Sequence, residues 1–184
     1  GRSDLNVSEL CLGSMSWGSN STAETGHAQI DRSLAAGVNF IDTAEMYPTY
    51  PVTPETVGNS ERIIGDWFAK TGRRSEVIIA TKVSGPNGGF VREGKGYDGP
   101  TILEAVENSL QRLQTDVIDL YQLHWPVRGS YHFRQYWAFD PSTQNTADVR
   151  AHMLEVLEVM QKLVDAGKVR HFGLSNETTW GTAQ

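Results

Sequence analysis

Short apolar runs alternate along the chain with longer stretches in which apolar residues recur at helical spacing. The runs predict the strands Leu10–Met15, Val38–Asp42, Val77–Lys82, Val117–His124 and Val169–Leu174. The intervening stretches predict the helices Thr22–Ala36, Ser60–Thr71, Pro100–Leu113 and Asp148–Ala166. Strands and helices that alternate in this way are typical of βα units, which build a parallel sheet. The pattern therefore predicts an α/β fold in a single domain over residues 1–184.

Three of the predicted connections are unusually long: Ala44–Asn59, Ser84–Gly99 and Trp125–Ala147. Each follows the C-terminal end of a predicted strand, which is the edge where parallel α/β folds build their sites. Loops longer than about 12–15 residues are usually functional or mobile, so we expect the site at this edge. The third loop contains an aromatic group made of Tyr131, His132, Phe133, Tyr136, Trp137 and Phe139. This group either lines a substrate pocket or packs the long loop.

The composition narrows the class of protein. With 39% hydrophobic and 21% charged residues, the chain has the composition of an ordinary soluble globular protein. A formal net charge of −6 with scattered lysines and arginines gives no reason to expect a nucleic acid partner. No apolar run approaches the roughly 18–20 residues of a spanning helix, so we expect no membrane partner. The single cysteine, Cys11, permits no internal disulfide, which favours a cytoplasmic location.

Ionisable residues stand at the ends of three successive predicted strands. Asp42, Lys82 and His124 each end one of these strands, and Tyr47 follows Asp42 by five residues. Adjacent strands of a parallel sheet lie about 4.8 Å apart and end on the same edge. We therefore expect these four side chains to converge.

The four residue types are together suited to the reduction of a carbonyl group. An ammonium at Lys82 would favour the phenolate of Tyr47 and lower its pKa from about 10, while Asp42 keeps the buried lysine protonated. His124 can hydrogen-bond a carbonyl oxygen, to which Tyr47 donates a proton as the oxygen becomes an alkoxide. The alternative is a structural ion pair between Asp42 and Lys82 beside a core histidine. The histidines show no metal-ligand spacing, and we predict no metal.

The sequence favours neither a phosphate-binding loop at Gly89–Lys95 nor a reactive thiol at Cys11. The segment Gly89–Lys95 is glycine-rich like a phosphate-binding loop, but Gly96 follows the lysine where Ser or Thr is needed. We expect a mobile loop there. Cys11 has no neighbouring base in the sequence and lies in an apolar strand, so we expect a buried, unreactive thiol.

Sequence segments around the strand ends resemble a known family. They are Leu12–Met15, Phe40–Tyr47, Ala80–Lys82, Asp119–Pro126 and Gly167–Asn176. Together they resemble the aldo-keto reductase superfamily, and Ala44–Arg74 and Leu113–Asp116 look closest to its Tas-like bacterial branch. The resemblance implies a (β/α)8 TIM barrel. It also implies reduction of a small aldehyde or ketone substrate with NADPH.

The resemblance also implies roles for particular residues. The catalytic tetrad of the family maps onto Asp42, Tyr47, Lys82 and His124. The implied cofactor-binding residues are Asp42 together with Gly13, Ser14 and Met15 beneath the cofactor, and Ser175 and Asn176 at the nicotinamide carboxamide. Trp17 and Trp125 stand next to site-forming positions and are candidates for the substrate wall.

The length of the chain leaves alternatives open. An eight-fold barrel takes about 250 residues, whereas only five of its eight strands are predicted here. We therefore expect the N-terminal portion of a barrel, with open sheet edges that invite pairing with a second copy. A non-catalytic subunit like the potassium-channel β-subunits is one alternative, but those have Asn at the position of His124, which favours an enzyme. An inactive truncated fragment is the other.

Overall fold

The computed structural model describes residues 3–129, 131 and 136–184. In this part of the chain the strands are β1 Cys11–Gly13, β2 Phe40–Asp42, β3 Ile78–Val83, β4 Ile118–Leu123 and β5 Val169–Leu174. The helices are α1 Ala23–Ala35, α2 Asn59–Thr71, α3 Gly99–Leu113, α4 Thr146–Asp165 and α5 Thr179–Ala183. Short 3-10 turns cover Arg74–Glu76, Arg92–Gly94 and Pro141–Thr143. All the strands are parallel and lie in chain order in one sheet, so the predicted α/β fold is confirmed.

The predicted elements are all present, and their ends differ from the prediction by at most two residues. The first strand is the most shortened, because the backbone turns after Ser14, whose N–H still donates to the carbonyl oxygen of Asp42. Helix α5 was not predicted. It is five residues long and begins where the side chain of Thr178 accepts from the N–H of Gly181.

The helices cover one face of the sheet. Because successive side chains of a strand alternate between faces, Ile41, Ile79 and Tyr121 point towards the helices and are at most 2% exposed. They pack with side chains of α2, α3 and α4, among them Trp67, Ile64, Ile102, Val106 and Met160. The strand register places Asp42 beside Ala80 and Lys82 beside Gln122, all on the opposite face. This alternation carries polar residues to the C-terminal edge of that face.

A close approach between α2 and α3 fixes the helix layer. Gly65 of α2 lies so near to α3 that a Cβ there would be 2.2 Å from the carbonyl oxygen of Arg112. One turn earlier, the buried carboxylate of Glu61 accepts from Arg112 Nε at 2.5 Å and from Thr81 Oγ1 at 2.6 Å. The ion pair and the glycine contact together tie α2 to α3 and to β3.

No helix within the described residues is long and apolar enough to cross a membrane. The cytoplasmic location stays a prediction.

Candidate active site

Lys82 lies at the centre of the polar edge. Its Nζ donates to Asp42 Oδ2 at 2.6 Å and to the carbonyl oxygen of Thr43 at 2.7 Å. The register makes this contact possible, because Asp42 is paired with Ala80 and Lys82 stands two residues further along β3. Burial lowers the pKa of Lys82 from its ordinary value, and the charge of Asp42 and its hydrogen bond partly offset this. Asp42 therefore supports the protonated form, as expected from the sequence.

Tyr47 reaches the same place from the loop after β2. Lys82 Nζ lies 5.1 Å from the centroid of the phenol ring, which is edge-on to the ring of His124 with 5.7 Å between centroids. The loop holds this position through its backbone, since the N–H of Tyr47 donates to the carbonyl oxygen of Ala44 and its own carbonyl oxygen accepts from Gly58. Only 8% of Tyr47 is exposed.

The pKa of Tyr47 moves in the direction opposite to the expected one. Burial, followed by the charge of Asp42, raises the pKa of Tyr47 to about 12. The difference has a physical reason. The phenol is buried, and the Lys82 charge is partly offset by its ion pair with Asp42 at 2.6 Å. Tyr47 in the free site is therefore a fully protonated phenol at neutral pH.

His124 follows the last residue of β4, and its backbone N–H donates to the carbonyl oxygen of Val83 at 2.9 Å. Burial, with a smaller effect of the Lys82 charge, lowers the pKa of His124 to about 3. Its Nδ1 is buried and has no hydrogen-bond partner in the described part of the chain. The site thus holds a neutral imidazole, which can donate one hydrogen bond to a substrate oxygen.

The predicted cofactor residues flank this centre from the ends of the two outer strands, β1 and β5. After β5, Asn176 Nδ2 donates to the carbonyl oxygen of His124 at 2.9 Å and to Ser175 Oγ at 3.1 Å. After β1, Ser14 Oγ donates to the carbonyl oxygen of Asp42 at 2.9 Å. Gly13 is paired with Asp42, and Met15 is 43% exposed. All these positions lie at the C-terminal edge, as the strand pattern predicted.

The two candidate wall residues have different places. Trp125 lies at the site, with its ring 4.7 Å from that of His124 and its Nε1 donating to the carbonyl oxygen of Pro86 at 2.9 Å. Trp17 is 1% exposed and packs in the main core, where its Nε1 donates to Gln29 Oε1 of α1 at 2.7 Å. Residues 18–22 lead from Trp17 into α1, and the indole lies in the main core of the helix layer. The structure therefore does not bring Trp17 to the site.

The aromatic group of the third long loop is only partly described. His132 and Phe133 lie outside the described residues. Tyr131 is 48% exposed. Tyr136 and Trp137 are 65% and 99% exposed, which does not fit a packing role for these two.

Cys11 is exposed, contrary to the expected burial. It lies on the face of β1 that the helices do not cover, since it is paired with Phe40 in the register that brings Gly13 to Asp42. Desolvation of the sulfur and the charge of Asp42 raise the pKa of Cys11 to about 11. The thiol therefore stays protonated and is a poor nucleophile, as expected.

Sequence reasoning missed a buried ion pair beside Tyr47. Glu45 is 3% exposed, and its carboxylate accepts a hydrogen bond from the backbone N–H of Ser84 at 2.6 Å. It also accepts hydrogen bonds from both terminal nitrogens of Arg92, each at 2.8 Å. Arg92 belongs to the glycine-rich segment that was expected to be mobile, and this pair anchors that segment. The signal in the sequence was a carboxylate two residues before Tyr47 and three residues after the end of β2.

A parallel βα sheet with its polar residues gathered at the C-terminal edge defines an α/β barrel-type protein with its site at that edge. The profile of the aldo/keto reductase family matches residues 9–184. The chain therefore belongs to the aldo/keto reductase family, as its strand-end segments predicted.

Similar proteins support the same conclusion. Protein tas of Escherichia coli is 43% identical over 182 residues, covering 97% of this chain and 51% of that protein. The uncharacterized oxidoreductase YrpG of Bacillus subtilis is 36% identical over 185 residues, covering 98% of this chain and 49% of that protein. The solved aldo-keto reductase AKR11C1 from Bacillus halodurans, in its holo form, superposes with a TM-score of 0.69 at 34% identity, covering 96% of this chain and 48% of that one. The chain thus spans about half the length of these relatives, and its fold is of the TIM-barrel type.

Proposed function

We propose that this chain carries the catalytic centre of an NADPH-dependent oxidoreductase that reduces a small aldehyde or ketone to an alcohol. One observation carries the proposal. At the edge of the sheet, a protonated phenol lies 5.7 Å from a neutral imidazole, measured between ring centroids, and its ring lies 5.1 Å from the Nζ of a buried ammonium. The family of oxidoreductases to which the chain belongs supports the same reaction class.

Each residue has a distinct part in this chemistry. His124 donates a hydrogen bond to the carbonyl oxygen and orients it, which a neutral imidazole does without changing charge. Tyr47 then gives its proton to that oxygen as negative charge develops there, because an alkoxide is a stronger base than a phenolate. Lys82 stabilises the phenolate that remains, and Asp42 keeps Lys82 charged.

The chain also offers groups that fit a nicotinamide cofactor, which supplies the hydride when bound. A carboxamide needs both a donor and an acceptor. Asn176 and Ser175 provide both at the end of β5, where Asn176 is already oriented by the carbonyl oxygen of His124. Gly13, Ser14 and Met15 lie at the matching end of β1. The choice of NADPH follows the family resemblance.

Binding and turnover test separate parts of the proposal. NADPH should raise the unfolding temperature of the chain, since a ligand at 100 times its Kd adds about 2.7 kcal/mol to the stability of the folded state. The variant Asn176→Ala should bind more weakly, and Gln111→Ala, at an exposed position of α3, should not differ from the unmodified chain. The full-length gene product should oxidise NADPH when given 4-nitrobenzaldehyde.

Binding without turnover in the full-length gene product would instead favour a non-catalytic subunit of the same fold. Neither binding nor turnover would indicate an inactive protein.

A further inference from the structure

The loop between β3 and α3 lies against the loop that carries Tyr47. Val91 of the first loop belongs to the same small apolar cluster as Ala44, Met46 and Tyr47, with Phe90 and Trp125 packed against it. This cluster is separate from the main core of the helix layer. The segment around Val91 therefore helps to bury the phenol ring.

The Glu45–Arg92 ion pair connects the two loops at this point. Both terminal nitrogens of Arg92 contact the carboxylate of Glu45 at 2.8 Å, and one of them also donates to the carbonyl oxygen of Ser84 at 2.9 Å. Glu45 in turn accepts from the N–H of Ser84, only two residues after Lys82. The pair thus joins the segment before Tyr47 to the end of β3, which carries Lys82, and to the loop that contains Val91.

The backbone at Arg92 is unusual, which indicates that the side chain determines the loop conformation. Arg92 and Glu93 have φ angles of 47° and 54°, a left-handed conformation that residues with side chains adopt infrequently. Conformations of this kind persist where surrounding contacts impose them. The bidentate contact of the guanidinium with a carboxylate that is 4% exposed at its side chain is such a contact.

We propose that Glu45 and Arg92 are positioning residues that hold the β3–α3 loop against Tyr47 and so fix the orientation and burial of the phenol. The role is indirect, since both residues act through Val91 and the backbone around Tyr47. The inference rests on the proposed function for its catalytic meaning. Its structural part is testable without any turnover.

The test compares the reactivity of Tyr47 in the chain and in the double variant Glu45→Gln, Arg92→Gln. Changing both residues together leaves no lone buried charge, so the variant is expected to fold. Tetranitromethane nitrates accessible tyrosinates, and peptide mass spectrometry assigns each nitrated residue. Tyr50, which is 60% exposed, serves as the reactive reference, and Tyr121, which is 0% exposed in the core, as the unreactive one.

We expect nitration of Tyr47 to rise several-fold in the double variant while Tyr121 stays unreactive. A fall of one pKa unit alone would give about tenfold more phenolate at a fixed pH. The control Lys95→Gln breaks an exposed contact with Glu93 in the same loop, at 3.6 Å, and should leave Tyr47 unchanged. In the full-length gene product, kcat should fall while the KM for NADPH stays the same.

Two outcomes would overturn the inference. Unchanged nitration of Tyr47 would show that the pair does not shield the phenol, and an equal rise at Tyr47 and Tyr121 would show a general contribution to stability. A failure of the proposed function is distinguishable, because it would abolish turnover in the unmodified protein and leave the nitration pattern intact.

Discussion

At the scale of single residues, the candidate site combines groups whose protonation states are set by burial. Tyr47 and His124 are 8% and 6% exposed, and desolvation moves both towards their neutral forms. Lys82 remains beside them with a carboxylate partner at 2.6 Å. The phenol and the imidazole are thus neutral hydrogen-bond donors next to an ammonium that is paired with a carboxylate. This arrangement suits proton donation to a developing alkoxide.

Replacing Tyr47 by Phe removes the proposed proton donor and little else, because the ring keeps its contacts. We expect turnover in the full-length gene product to fall by about 10²- to 10⁴-fold, the usual contribution of a positioned general acid. NADPH binding should remain nearly the same. Steady-state kinetics and a thermal-shift titration measure the two effects.

The matched control is Tyr50→Phe, which removes the hydroxyl of an exposed tyrosine in the same loop. Near-normal turnover in Tyr47→Phe would assign the acid role to another group, with His124 the next candidate.

The low pKa of His124 predicts a specific acid sensitivity. Its pKa is about 3 in the folded chain and 6.5 as a reference, so between these values only the unfolded state binds the proton. Stability should therefore rise with pH across this window and fall on acidification, by about 1.4 kcal/mol per pH unit from this group. Urea unfolding at several pH values measures the slope.

The variant His124→Asn should flatten that slope. Parallel pH dependences for His124→Asn and the unmodified chain would contradict the buried, neutral state of His124.

At the scale of elements, the close contact between α2 and α3 leaves no room for a side chain larger than that of glycine at position 65. Gly65→Ala would place a Cβ 2.2 Å from a backbone oxygen of α3, which cannot move without separating the helices. We expect a loss of about 1–3 kcal/mol in the free energy of unfolding, although alanine has the better helix propensity. Urea denaturation measures the loss.

Gly26→Ala in α1 is the matched comparison. Its Cβ would meet only side chains, at 3.1 Å from Ile63 and 3.2 Å from Trp17, and these can shift slightly. We expect a clearly smaller effect there. Equal losses for the two variants would show that the backbone contact between α2 and α3 is not the limiting feature.

At the scale of the whole molecule, the sheet has two outer strands. β1 and β5 each pair with one neighbour in the part of the chain that the structure describes. Phe172 and Leu174 of β5 are 39% and 42% exposed. Apolar strands with a free edge tend to pair with other chains.

We therefore expect the 184-residue chain to self-associate and to show little turnover by itself. Light scattering coupled to size exclusion measures the mass over a range of concentrations. Phe172→Lys should weaken the association, because charge on an edge strand opposes pairing. Leu103→Lys, at an exposed site on α3, should not. A stable monomer of 20.4 kDa at all concentrations would contradict the expectation.

The sequence alone determined the strands, the four long helices and the location of the candidate site. Strand periodicity and helical spacing depend on neighbouring residues, so they are readable from the chain without knowing the fold. The same periodicity put Asp42, Lys82 and His124 at strand ends, and parallel strands end on one edge. The convergence of these residues with Tyr47 followed from local pattern and topology together.

Only the tertiary structure decided how each group is surrounded. The direction of the Tyr47 pKa shift, the burial of Trp17 and the pairing of Glu45 with Arg92 all depend on segments far apart in the chain. The ion pair joins residues 47 positions apart. Burial and charge pairing arise from such distant contacts, and these are the terms that set a pKa or fix a loop, so local sequence patterns could not supply them.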